Sequence, residues 1–229
     1  MIRNTLLLST ALATGFAATA MADSYKIGVM SAQSGYLAPY DGPAYAGFQF
    51  CIDEMNANGG LNGKTPVELI VRDTRSDIAE GVKVVQEMID DGAQFIVASA
   101  DADPTIAAAQ ITAADSIPTM TFAGTAPVLT QVGEHVFGSY PADNQQATVL
   151  AGHAHAEGFE KVWLVKSPDS AYTLGGPEYF GEAFTALGGA VVGESSYSLN
   201  QPDFSAIVTT IKNAETAPDV IVTWAWEPD

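Results

Sequence analysis

YKIGVMSAQSGYLAPYDGPAYAGFQFCIDEMNANGGLNGKTPVELIV, residues 25–71, opens on a strand, passes into a helix and returns to a strand. The apolar and β-branched runs Tyr25–Met30 and Val67–Val71 predict two short strands. Between them Ala44, Phe48, Cys51, Ile52 and Met55 recur at helical spacing, which predicts a helix over Pro43–Asn56 with those residues on one face. Asn58-Gly59-Gly60 ends it, because glycine takes the left-handed conformation of a helix C-cap without a Cβ clash. On that face Cys51 is expected to be an inert, buried thiol.

The same unit recurs downstream. Ile78–Ile89 reads as an amphipathic helix with Val82, Val85 and Ile89 inward and Asp77 as its N-cap. Strands are expected at Gln94–Ser99, Pro118–Phe122, Val136–Ser139, Lys161–Lys166, Ala190–Tyr197 and Val220–Trp224. Helices are expected at Thr105–Ala114, Asn144–Glu157, Pro177–Leu187 and Phe204–Asn213. Alternation of this kind gives an α/β fold with parallel sheets and helices on both faces. A single sheet would have to hold about ten strands, whereas two smaller sheets divide them comfortably. The break is placed at Tyr140-Pro141-Ala142-Asp143, which gives lobes of 23–140 and 141–229.

Charge narrows the partners. The 229 residues carry 9 Lys+Arg against 27 Asp+Glu, a net charge of -18, which makes a poor footprint for nucleic acid. An acidic surface is also repelled by anionic lipid headgroups. One cysteine excludes an internal disulfide and any multi-cysteine metal site. The N-terminus reads as a secretory signal peptide over residues 1–22: Arg3, the apolar run Thr5–Ala18, and Ala20-Met21-Ala22 as the small-x-small cleavage pattern. That run is shorter than the roughly 20 residues a membrane span needs.

Ligands of parallel α/β sheets bind outside the carboxyl ends of the strands, so the loops there are where a site is expected. The first, Ser31–Gly42, offers Tyr36 and Tyr40 as flat faces and hydroxyl donors. The second, Ala100–Thr105, leads into a helix N-terminus that favours an anion. Asp101 and Asp103 lie in that same loop, and either cap the helix or prefer an ammonium. They lack a third ligand for a metal. In Ala123–Thr130, Ala123 and Gly124 admit a ligand to the backbone and Thr125 supplies a hydroxyl. Tyr172 sits in the loop Ser167–Pro177, and Trp226 comes just after the last strand. Aromatic residues on both lobes suit a cleft closing on a small organic molecule. No G-x-G-x-x-G succeeds the first strand, and P-loop and G-x-S-x-G motifs are missing, so no enzyme chemistry and no cofactor is read. His153 and His155 are spaced i, i+2 and point apart.

Together these segments resemble the periplasmic substrate-binding proteins of ABC transporters, of the branched-chain amino-acid (Leu/Ile/Val-binding) type. The resemblance is carried by Ile27-Gly28-Val29, Ser34-Gly35, Tyr40, Ala46-Gly47 and the run Asp53–Gly63 (DEMNANGGLNG), then Val71-Arg72-Asp73, Asp91-Gly92, Ala123-Gly124-Thr125-Ala126-Pro127, Asp203-Phe204-Ser205 and Trp226-Glu227-Pro228. It implies a type I periplasmic-binding-protein clamshell of two doubly wound parallel-sheet lobes. By that resemblance the protein is a monomeric periplasmic receptor that delivers its solute to an ABC permease in the inner membrane, without chemistry. The solute carboxylate is then held by Ala102-Asp103-Pro104-Thr105 and Thr125, the ammonium partly by the Ala123 carbonyl, and Tyr40, Tyr172 and Trp226 line the cleft. Ala102 lacks the hydroxyl usual at its position, Asp101 and Asp103 would repel a bare carboxylate, and Trp226 replaces a tyrosine. An aromatic acid, an amide or another solute is therefore the alternative ligand, and a ligand-sensing receptor domain the alternative role. Family members are usually much longer, so the chain is expected to be C-terminally truncated, with the second lobe and the return crossings incomplete.

Overall fold

The computed structural model describes residues 24–226. The export signal read over residues 1–22, and Glu227 and Pro228 of the C-terminal match, lie outside the described residues. Two all-parallel sheets organise the chain. The first contains β1 (Tyr25–Ser31), β2 (Val67–Asp73), β3 (Phe95–Ala98), β4 (Thr119–Thr121) and β5 (Val136–Phe137), in the order β2-β1-β3-β4-β5. The second contains β6 (Lys161–Lys166), β7 (Ala190–Ser196) and β8 (Val220–Thr223), in the order β7-β6-β8. The connections are α1 (Ala38–Ala57), α2 (Ile78–Asp90), α3 (Ala102–Thr112), α4 (Asp143–Ala156), α5 (Ala171–Ala186) and α6 (Ser205–Lys212). A 3₁₀ turn at Pro127–Gln131, not foreseen from the sequence, lies inside the stretch read as a loop.

The DEMNANGGLNG run works as a helix stop that also starts a strand. Asn56 pairs with Val67 at both ends of its amide, donating to the Val67 carbonyl and accepting its N–H, each at 2.8 Å. Gly60 donates to the Met55 carbonyl at 2.9 Å and holds φ +82°. A Cβ there would run into the carbonyl of Thr65, so glycine is required on two counts. The turn delivers Val67 in register with Tyr25, and the pairing then continues to Ser31 opposite Asp73.

Each sheet has its own core. Met30, Ile70, Val84, Val85, Met88 and Ile96 pack under the first. In the second, the alanine stripe Ala147, Ala151 and Ala154 of α4 lets α5 approach closely, over Phe180 and Phe184 stacked at 5.5 Å. Three expectations are corrected here. Cys51 is exposed, because α1 buries only Asp41 and Ile52, and Cys51 is rotated by about 100° from Ile52. Val82 is 38% exposed, while Val84, Val85 and Met88 form the inner face of α2. The third concerns α5, which begins at Ala171 and passes through Gly175-Gly176-Pro177 although these read as breakers. The carbonyl of Thr173, left without its helical partner by Pro177, accepts from the Ser167 N–H at 3.3 Å. Gly176 lies against the Trp224 ring, where a Cβ would clash.

Candidate functional site

In the order β2-β1-β3-β4-β5, chain connections leave β1 and β3 toward opposite edges of the sheet, which opens a crevice at their carboxyl ends. A buried carboxylate fixes that crevice. Asp41 is fully buried and accepts from the Ala32 N–H at 2.6 Å, the Ala100 N–H at 2.7 Å and the Ser99 hydroxyl at 3.2 Å, tying the ends of β1 and β3 together. Burial raises its pKa, against the pull of those three donors. Sequence reading missed Asp41, whose partners lie far along the chain.

Tyr40, expected on a loop, stands in the first turn of α1, which starts at Ala38. Pro39 presets a helical φ there, and the Ser76 hydroxyl accepts the Leu37 N–H at 3.0 Å while Leu37 itself is buried. Tyr172 is corrected in the same way: it lies in the first turn of α5, behind the N-cap Ser170, whose hydroxyl accepts the Tyr172 N–H at 3.2 Å. Helix α3 likewise starts earlier than expected, at Ala102, with Pro104 tolerated in a first turn whose N–H groups lack helical partners anyway.

Asp101 is the N-cap of α3 and accepts from the Asp103 N–H at 3.5 Å. At 2% exposure its carboxyl is pushed up to about 7, first by burial and then by the charge of Asp103. Asp103 bridges the two sheets' halves: its carboxylate accepts from the Ala171 N–H at the start of α5, at 3.5 Å. Below them, Thr121 donates its hydroxyl to the Ser99 carbonyl at 2.6 Å and accepts the Gly124 N–H at 2.7 Å, fixing the turn into Thr125.

Between the halves lies a cavity of about 580 Å³. Tyr40, Ala102, Ala123, Thr125, Tyr172 and Trp226 line it, brought together from sites scattered along the whole chain. Asp101 and Asp103 are not lining residues; they stand behind Ala102. Gly124, expected to admit a ligand to the backbone, also lines it; Pro43, Ala44, Ala100, Tyr140 and Gln146 complete the wall and were not anticipated. The Trp226 ring lies 5.0 Å from Tyr40, edge to face, and 4.9 Å from Tyr172, so three rings from both halves form one aromatic wall. Tyr172 has its pKa raised to about 12 by burial and then by the charge of Asp143.

Asp143, at the first position of α4, is fully buried, with the Thr125 side chain as the polar neighbour of its carboxylate. Its N–H donates to the Thr125 carbonyl at 2.9 Å, which places it directly behind the lining. Burial raises its pKa, and the nearby Thr125 side chain offsets only part of that. The motif Tyr140-Pro141-Ala142-Asp143 reads as a boundary in the sequence, which gives no sign of the role of its acid. A second cavity, of about 500 Å³, lies between β6, β7 and α5 beside Lys166. Its lysine is already paired with Glu178 and Glu194 at 2.9 Å each. Among the described residues, no group of three His, Cys, Asp or Glu is placed to hold a metal ion, and no helix is long and apolar enough to cross a membrane.

The chain is 28% identical to the Leu/Ile/Val-binding protein BraC3 of Rhizobium johnstonii over 230 residues, covering all of this chain and 62% of that one. It superposes with a TM-score of 0.76, at 25% identity, on the branched-chain amino-acid substrate-binding protein LivJ of Streptococcus pneumoniae, solved with isoleucine, covering 87% of this chain and 56% of that one. A solute-binding protein of an ABC transporter from Rhodopseudomonas palustris, solved with p-hydroxybenzoic acid, gives 0.76 at 25% identity, covering 87% and 53%. The chain thus spans a little over half the length of these proteins. The model of the periplasmic binding protein family matches residues 24–229. With two parallel sheets facing one cavity at their strand ends, the chain belongs to the periplasmic binding protein family.

Proposed function

We propose that this protein is an exported, periplasmic solute receptor that captures one small organic molecule in the cleft and passes it to an ABC permease without altering it. Residues 1–22 serve as its export signal, and the lobes divide at 140/141. The observation that carries this reading is the cavity itself. Its walls are aromatic rings, small residues that open the backbone, and the Thr125 hydroxyl, the makings of a binding site rather than a catalytic one. Amino acids are the first solutes to consider, because the Rhizobium relative is a Leu/Ile/Val-binding protein and the pneumococcal structure was solved with isoleucine. Aromatic acids come second: the Rhodopseudomonas protein was solved with one, and Trp226 gives this cleft a broad flat surface.

Thermal-shift screening of the full chain against amino acids, amines, aromatic acids and amides, followed by calorimetry on each hit, tests the reading. One solute bound at one site per chain and recovered unchanged is the expected result. Accumulation of a product, or no stabilisation by any member of the panel, would overturn it.

A further inference from the structure

The cavity wall holds a polar group that the chain leaves unused. The indole Nε1–H of Trp226 is buried from water and has no hydrogen-bond partner. Other donors of the wall are engaged within the chain. The Ala100 N–H donates to Asp41 at 2.7 Å, the Gly124 N–H to the Thr121 hydroxyl at 2.7 Å, and the Gln146 side-chain amide to the Pro141 carbonyl at 2.7 Å. The Thr125 side chain neighbours the Asp143 carboxylate. Trp226 itself stands edge to face with Tyr40 at 5.0 Å and tilted against Tyr172 at 4.9 Å, and a ring face is a weak substitute for an oxygen acceptor.

A buried N–H without an acceptor gives up its bond to water and gains none in return, so in a folded protein it calls for a reason. The position of Trp226 supplies one. It comes just after β8, at the carboxyl end of the second sheet, and lines the cavity together with Ala123 and Thr125, which follow β4 of the first. A solute seated there is placed to bring the missing acceptor. Among the described residues that line the cavity none is charged, so the wall offers that acceptor a hydrogen bond and not an ion pair. An indole N–H can only donate, and an ammonium has no lone pair to receive it, whereas a carboxylate or carbonyl oxygen has.

We infer that Trp226 determines specificity in the cleft by donating its Nε1–H to a carboxylate or carbonyl oxygen of the solute. Solutes that place such an oxygen in the plane of the indole are retained, and those whose sole polar group is an ammonium are passed over. This rests on the cavity being a solute site, and names a group that the site reads. The ring then serves twice: its faces pack with Tyr40 and Tyr172 in the aromatic wall, and its edge orients the solute.

Calorimetry on the full chain with two matched series tests this. One is leucine, 4-methylpentanoate, 4-methylpentanamide and 3-methylbutylamine; the other is phenylalanine, 3-phenylpropanoate, 3-phenylpropanamide and 2-phenylethylamine. In at least one series an oxygen-bearing member should bind at least about tenfold more tightly than the amine, and the acid and amide arms show whether a charged or a neutral oxygen is preferred. An amine that binds as tightly as its oxygen-bearing partners overturns the inference and leaves the receptor reading intact. If both series and the wider solute panel are silent, the receptor reading falls with it. A ¹H–¹⁵N spectrum reads the donor directly. Of the indole signals of Trp163, Trp224 and Trp226, the one missing from Trp226→Phe should move downfield on saturation with the bound solute. If none of the three moves, the inference is overturned whether or not the variant folds. Trp226→Phe keeps a ring in the wall and should weaken the oxygen-bearing solute about tenfold; unchanged affinity overturns the inference as well.

Discussion

Replacing Asp101 by Asn should make the protein more stable at alkaline pH. In the folded chain the Asp101 carboxyl is pushed up to about 7 from an ordinary 3.8, by burial first and by the Asp103 charge second. A carboxyl raised in this way favours folding while it is protonated. The contribution is full below the unfolded value near 4 and is lost as pH rises through about 7. At pH 8 the wild-type chain must therefore hold an ionised group in a site that disfavours it, a penalty of about 4 kcal/mol. Asparagine keeps the N-cap acceptor for the Asp103 N–H and carries no charge, so the variant avoids that penalty.

The expected outcome is a Tm about 8–16 °C above wild type at pH 8, shrinking to little or nothing near pH 4. Asp41 and Asp143, also raised, tilt both curves alike, so the readout is the difference between variant and wild type across pH 4–8. Thermal melting followed by circular dichroism measures it. A variant less stable than wild type at pH 8, or a difference independent of pH, would refute the reasoning. It would mean that the Asp101 charge stabilises α3 by more than its burial costs.

Other substitutions probe separate parts of the same frame. Asp41→Ala should destabilise the chain by about 3–5 kcal/mol, because the buried Ala32 and Ala100 N–H groups lose their acceptor; chemical denaturation reads this directly. Gly176→Ala should cost about 1–3 kcal/mol by forcing a methyl group against the Trp224 ring, with a matching fall in Tm. Thr125→Ala and Tyr172→Ala should each weaken solute binding by about 1–3 kcal/mol in calorimetry, and Tyr172→Ala should also lower Tm because its ring packs on the second core. Unchanged affinity in both would show that the cavity wall is wrongly assigned.

The repeating β-α unit is legible because hydrophobic periodicity is a local property: Tyr25–Met30, the DEMNANGGLNG stop and Val67–Val71 carry it in neighbouring residues. Helix starts are less so. Tyr40 and Tyr172 look like loop residues, since Pro39, Pro43, Gly175, Gly176 and Pro177 signal breaks to any local reading. The chain continues as helix because packing against Trp224 and a stray carbonyl satisfied by Ser167 override those signals. Cys51 shows the reverse error, an apolar residue placed inside by its neighbours and left outside by a rotation about the helix.

What the amino-acid order determined unaided was the α/β class and the strongly acidic balance of charge. Tertiary structure alone decided what those acids meet. Asp41 reaches Ala100, Asp103 reaches Ala171 and Asp143 comes to rest behind Thr125 only once both sheets are formed. Spacing cannot show whether an aspartate meets a donor, a helix end or nothing. That depends on contacts between residues far apart in the chain.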